Sequence, residues 1–237
     1  MMRLDRFLSS QGFGTRKEVK SLIKKGIVKV NQEIIKSDNH KIDALNDTVL
    51  VGQKVIDYKK YIYLMLHKPK GYISARNDKN HKTVLDLIPK YEHYKLSPVG
   101  RLDKDTEGLM LLTNDGKLIH QLLAPNKKVG KKYYVELLKE LKLSDKEKLE
   151  NRIVIDGNYQ CLPAIVELID LKSCYITIYE GKFHQIKKMF QAVKNQVLYL
   201  KRLEMNGLVL DSDLKLKEYR ELTSQELVLL KQISTNN

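Results

Sequence analysis

Apolar residues recur at helical spacing at the start of the chain, first Leu4, Phe7 and Leu8, then Val19, Leu22 and Ile23. Ser10 to Gly14 interrupts the pattern, and Thr15-Arg16-Lys17-Glu18 has the form of a capping box. Two short helices are therefore expected, the second ending near Gly26. Ile27, Val28 and Val30 then read as a short strand, turned by Asn31-Gln32 toward Ile34. Further on, the compact run Ile62 to Leu66 is stopped by Lys68-Pro69-Lys70-Gly71. Strand-like segments follow at 109–113, 133–138, 163–169, 174–179 and 197–203. Helices are expected at 117–123, where Leu118, Ile119, Leu122 and Leu123 share a face, and at 183–193, on Ile186, Met189, Phe190 and Val193. A second capping box, Thr223 to Glu226, opens a last helix. Strands outnumber helices and several follow one another directly. That predicts an α+β chain: a small helix–helix–sheet domain over residues 1–57, then a larger domain over 58–237 with an antiparallel or mixed sheet.

Composition narrows the class. A hydrophobic content of 42% over 237 residues is enough for a packed core. No apolar run approaches the roughly 18 to 20 residues of a membrane span, and MMRLDRFLSS lacks the apolar core of a secretory signal. A cytoplasmic protein without a membrane partner is expected. Cys161 and Cys174 have neither a second pair nor a CxxC spacing, and read as reduced thiols rather than a disulfide or zinc site.

Charge adds a partner. Lys and Arg number 43 against 29 Asp and Glu, a net +14, and such a surplus attracts polyanions, nucleic acid first. A lysine-rich genome would give the same excess, since 35 of the 43 are Lys. The distribution is uneven, however: residues 1–30 hold 8 basic and 2 acidic side chains, residues 31–57 hold 3 and 5. Lys17, Lys20 and Lys24 fall on one face of the second helix, with Arg16 at its start, and one-signed charge of this kind suits a phosphate backbone. The stretch RLDRFLSSQGFGTRKEVKSLIKKGIVKVNQEIIKSDNHKI resembles the S4 RNA-binding domain, over residues 2 to about 48.

Between two apolar stretches, Pro98 to Gly108 packs one arginine, three carboxylates and two glycines. A polar turn capped by Gly108 would use such residues. Asp103-Lys104-Asp105-Thr106 also imitates the nucleophile of phosphatases that form an aspartyl-phosphate, but there a buried strand precedes the aspartates, whereas here it follows them. GRLDKDTEGLMLLTNDG instead resembles the signature of the pseudouridine synthases, in the branch that includes the small-subunit ribosomal RNA enzyme. YLMLHKPKGYISA, HKTVLDLIP, KKYYVEL, PAIVEL, EGKFHQIKKMFQAV and LKEYRELT extend the resemblance to the end of the chain.

The resemblance implies that Asp103 is the catalytic aspartate, Arg101 helps hold the nucleotide out of the RNA stack, and Tyr133 lies against the base, with Tyr134 the second tyrosine to test. Lys187, in HQIK, takes the place of the basic partner of the aspartate. Many relatives carry Arg there, so a planar fork becomes a point charge. Lys194 and Lys217 stand where relatives usually have Gly, and Asn195 could supply the left-handed helix stop. His184 and Glu180 read as hydrogen-bonded structural residues, and no metal is assigned.

The implied reaction breaks the bond from ribose C1′ to N1 of uracil, turns the base and rejoins it through C5, with no net change in atoms. It needs no cofactor, and the chain has no dinucleotide fingerprint and no phosphate-binding glycine loop. It needs an ionised carboxylate at the sugar, which attacks C1′ or stabilises positive charge there and removes the C2′ proton. The expected substrate is a 16S ribosomal RNA uridine, in rRNA or a small-subunit assembly intermediate, and the expected state is a monomer. Two alternatives stand beside it: a noncatalytic S4-type RNA-binding or ribosome-assembly protein, and the same chemistry on 23S rRNA.

Overall fold

The computed structural model describes residues 1–232, which divide into two compact units. The first holds Met1–Ile62 and a returning segment, Pro89–Leu96, the second Tyr63–Ile88 and the rest of the chain. Residues beyond 57 stay with the first unit for a visible reason: Tyr58 packs on Phe7, ring centroids 5.3 Å apart. The return of 89–96 left no mark in the hydrophobic pattern.

In the first unit, α1 (Leu4–Ser10) and α2 (Arg16–Lys24) pack on a four-stranded antiparallel sheet of β1 (Val28–Val30), β2 (Glu33–Ile34), β3 (Val49–Val51) and β4 (Lys54–Val55). The core is Leu4, Phe7, Leu8, Val19, Ile23, Val28, Val30, Ile42 and Val49. α2 begins where expected: the Thr15 hydroxyl accepts from the Glu18 amide, and Glu18 Oε2 accepts from the Thr15 amide at 2.7 Å. Asn31 and Gln32 both adopt positive φ, the geometry a two-residue hairpin demands.

The second unit is built on a nine-stranded sheet. Its strands are β5 (Tyr63–Lys68), β6 (Glu107–Thr113), β7 (Lys131–Leu137), β8 (Ile165–Leu168), β9 (Ser173–Ile178), β10 (Val197–Met205) and β11 (Tyr219–Glu221), with two-residue strands at Ser97–Pro98 and Leu208–Val209. The spatial order of the main path is β8-β9-β7-β10-β6-β5-β11. All pairings are antiparallel except that of β10 with β6, where Lys201 faces Glu107 and Arg202 faces Gly108. The mixed sheet expected from the strand pattern is thus present. β5 and β6 are interior strands with a neighbour on each side, and both read as continuous apolar runs rather than alternating ones.

Helices α3 (Gly116–Leu123), α4 (Leu143–Glu150), α5 (Gln185–Ala192) and α6 (Ser224–Lys231) complete the unit. Met65, Leu109, Leu111, Leu118, Leu122, Met205, Leu208 and Leu230 form one cluster that packs α3 and α6 against the strands. α4 has no apolar periodicity, buries only Leu149, and was not legible in the pattern. At the end of α5 the left-handed residue is Lys194 itself, φ 59°, rather than Asn195; Lys217 likewise has φ 74°. Both sites have the backbone that favours glycine. Asn195 has another task, exchanging hydrogen bonds of 3.0 Å with the amide and carbonyl of Lys139.

Candidate active site

The loop from Arg101 to Thr106 leads into β6 and is fixed from below by residues of β5 and the segment after it. Lys68 is fully buried, and its Nζ donates to the carbonyls of Thr106 at 2.7 Å, Asp103 at 3.0 Å and Pro69 at 3.1 Å. Three acceptors match the three protons of an ammonium group. Burial nonetheless pushes this amine down to about 8, with the charges of Asp105 and Asp103 acting in the opposite direction. Ser74 Oγ bridges the Leu102 backbone, accepting from its amide at 2.9 Å and donating to its carbonyl at 3.0 Å. The Gly71 amide holds the Lys104 carbonyl at 2.8 Å. Asp103 therefore sits on a backbone tied at 102, 103, 104 and 106.

β10 closes the loop from another side. Gly108 has φ 107°, and a Cβ there would stand 2.6 Å from the Arg202 nitrogen and closer still to its carbonyl oxygen. Only glycine fits this parallel contact. Arg202 is itself 1% exposed, and its Nε donates to the Leu109 carbonyl at 2.8 Å. Its Nη2 is buried without a partner among the described residues. Tyr133 is the cross-strand neighbour of Arg202 and is buried. Burial pushes its phenol up, Arg202 draws it down, and the charge of Asp103 adds to the rise. Tyr134, next in the strand, donates to Glu136 Oε1 at 3.1 Å and packs edge-on against Tyr199, on the other face of the sheet.

α5 and the residue that caps it bring Lys187 and His184 to the aspartates. Lys187 Nζ lies 3.3 Å from Asp103 Oδ2, the pairing anticipated from the sequence, but it is nearer Asp105, at 2.6 and 2.9 Å from its two oxygens. One ammonium thus serves two carboxylates. Burial would raise Asp105, but the hydrogen bond and charge of Lys187 outweigh it and hold the group below the usual carboxylate range. His184, expected to be a structural residue, places Nε2 3.6 Å from Asp103 Oδ1. Glu180 is structural as expected: it accepts from Tyr159 Oη, the Leu162 amide and Gln185 Nε2. Arg101 is exposed at the entrance to the loop.

Lys68, Ser74, Asp105, His184 and Arg202 were not singled out by the sequence for this site. Lys68 left a faint signal, a lysine closing an otherwise apolar strand, and Gly108 marked where another backbone comes close. Among the described residues no group of three or more His, Cys, Asp or Glu could hold a metal ion.

In the first unit, Arg16, Lys17 and Lys24 are exposed. Arg3, Arg6, Arg16, Lys17, Lys20 and Lys41 line one concavity with a single acid, Asp5. Lys20 is not the free cation its helix face implied, because its Nζ is 2.9 Å from Asp38 Oδ2.

Comparison with known proteins agrees with this architecture. Residues 62–192 match the RNA pseudouridylate synthase family and residues 2–49 match the S4 domain. An uncharacterized RNA pseudouridine synthase of Bacillus subtilis is 45% identical over 97% of this chain and 98% of its own. The ribosomal small subunit pseudouridine synthases A of Vibrio cholerae and Escherichia coli K12 are 36% and 34% identical, each over 95% of this chain and 98% of the relative. A crystal structure of a pseudouridylate synthase superposes with a TM-score of 0.69 at 33% identity, covering 97% of this chain and all of the other. With its family domain on the sheet-rich unit and an S4 domain ahead of it, the chain belongs to the RNA pseudouridine synthases.

Proposed function

We propose that this enzyme isomerises a uridine of 16S ribosomal RNA to pseudouridine, with Asp103 as the catalytic carboxylate. The observation that carries the reading is the position of Asp103: a partly exposed carboxylate on a backbone pinned by Lys68 and Ser74, facing Lys187 and His184 and adjoining the buried Tyr133. A sugar carbon that develops positive charge needs an ionised oxygen held at fixed distance, and a rigid loop supplies that position before substrate arrives. Lys187 gives Asp103 a cationic neighbour at 3.3 Å, which it shares with Asp105. Tyr133 forms the wall against which the detached uracil turns. Arg101, exposed beside the loop, fills the gap left in the RNA when the target leaves its stack.

Arg16, Lys17, Lys20 and Lys24 hold the RNA backbone through the S4 domain; the concavity rich in arginine and lysine supports this part of the reading. The choice of 16S RNA is supported by the names of the Vibrio and Escherichia relatives.

Primer-extension mapping of pseudouridine in ribosomal RNA from a deletion strain tests the proposal. One 16S site is expected to lose its modification, the native gene to restore it, and Asp103→Asn to leave it unmodified, with activity down roughly 1000-fold or more. Restoration by the Asn variant would remove Asp103 from the chemistry, and a lost site in 23S RNA would move the substrate to the large subunit.

A further inference from the structure

Four phenylalanines occur in the chain. Phe7 and Phe190 are buried and Phe13 packs on the core of the first unit, but Phe183 is 71% exposed. Its ring stacks on His184 with centroids 3.8 Å apart and planes 20° from parallel. His184 adopts a left-handed backbone, φ 54°, at the start of α5, and its Nε2 is 3.6 Å from Asp103. Such a conformation is costly for a side chain other than glycine and persists where surrounding structure or function holds it. Three lysines stand around the ring: Lys188 Nζ lies 5.4 Å from the Phe183 ring centroid and 2.6 Å from Asp156 Oδ2, Lys187 is held by Asp105, and Lys182 Nζ lies 4.6 Å from the Tyr159 ring centroid. Gly181, two residues before the ring, has no atom within 4 Å of where a Cβ would stand.

We propose that Phe183, backed by His184, is a stacking platform for a nucleobase flanking the target uridine. The proposal rests on the assignment of Asp103 to the chemistry. When the target base leaves its stack, its neighbours in the strand lose an aromatic face, and a ring beside the reacting carboxylate replaces it. Lys182, exposed and without an acidic partner within ion-pair distance among the described residues, leaves one cation beside the ring for a phosphate of that strand. Phe183 is thus a binding residue that contacts a nucleotide other than the one transformed.

The test uses the full-length enzyme and a 16S transcript labelled with tritium at uridine C5, since forming the new bond at C5 releases that hydrogen. Phe183→Ala is expected to raise KM roughly 10-fold while kcat stays within about twofold, Phe183→Trp to restore KM, and Phe183→Leu not to restore it, because stacking needs a flat π-face. An unchanged KM in the Ala variant, or full recovery by Leu, would overturn the platform. So would an Ala variant with native KM whose sedimentation shows loss of self-association, since the ring would then face a second copy. Asp103→Asn, run in parallel, separates the two readings: tritium release by that variant defeats the assignment of Asp103, whereas its silence beside an unaffected Phe183→Ala defeats only the platform.

Discussion

The shared ammonium of Lys187 makes Asp105 a residue whose contribution depends on pH. Its carboxyl titrates lower in the folded chain than in the unfolded one, so it stabilises the fold above its unfolded value, roughly pH 4, and loses that effect as pH falls through the folded value. The side chain of Asp105 is 68% exposed, which screens the pair. Asp105→Asn is accordingly expected to cost less than about 1 kcal/mol at pH 7 and nothing measurable near pH 2. Thermal melts at the two pH values check this, and an equal loss at both would contradict it. Lys68 shifts stability with the same sign but in a higher pH window. Its amine is depressed to about 8, so from there to about pH 10.5 the unfolded chain binds the extra proton and stability rises with pH. The loop, however, loses one of its three donors as that proton leaves, and activity is expected to fall above about pH 8 while the protein stays folded. Lys68→Met removes all three donors and is expected to destabilise by about 2–4 kcal/mol, as buried carbonyls lose their partners. Denaturant titration measures that loss, and a variant of native stability would show that the carbonyls find other donors.

At the scale of elements, the legible parts were those with local causes. Both capping boxes start helices where Thr15 and Thr223 indicated, because the reciprocal bonds lie within four residues. The apolar runs of β5 and β6 identified interior strands, since burial on both faces removes alternation. What stayed hidden was nonlocal. That Lys68 would turn inward to the loop around Asp103, or that Lys187 would divide itself between two aspartates, depends on which strands become neighbours, and periodicity carries no such information. Gly108 is the exception, where a single residue type recorded a distant contact. Gly108→Ala places a methyl group against the Arg202 backbone, which has no rotamer to change, and is expected to lower stability by about 3 kcal/mol or more. Calorimetry of the variant tests this, and a loss below 1 kcal/mol would mean that β6 and β10 separate easily.

Across the whole molecule, the net charge of +14 named a partner class but not how the charge is used. Arg202 and Arg220, two of eight arginines, work inside the protein, the first under β6 and the second between Asp211 and Glu226. The S4 cations are set on a stable scaffold, and only Lys20 among Lys17, Lys20 and Lys24 has an acidic partner within an ion-pair distance among the described residues. Reversing all three charges is expected to weaken RNA binding and to flatten its dependence on salt by up to about 2.7 in the log–log slope if each neutralises one duplex phosphate. Filter binding from 50 to 200 mM salt reads the slope, and an unchanged value would take this helix face out of the interface.

The parallel contact of β6 with β10 also has a consequence for the order of events in the life of the chain. Arg202 and Leu109 are joined across 93 residues, and the loop that carries Asp103 leads into that junction. Closing so long a loop is slow, and during synthesis it must wait for the distant strand to leave the ribosome. The S4 domain, made of neighbouring segments, can fold and grip RNA well before then. A growing chain therefore completes its S4 domain before the loop beside Asp103 can be closed by β10.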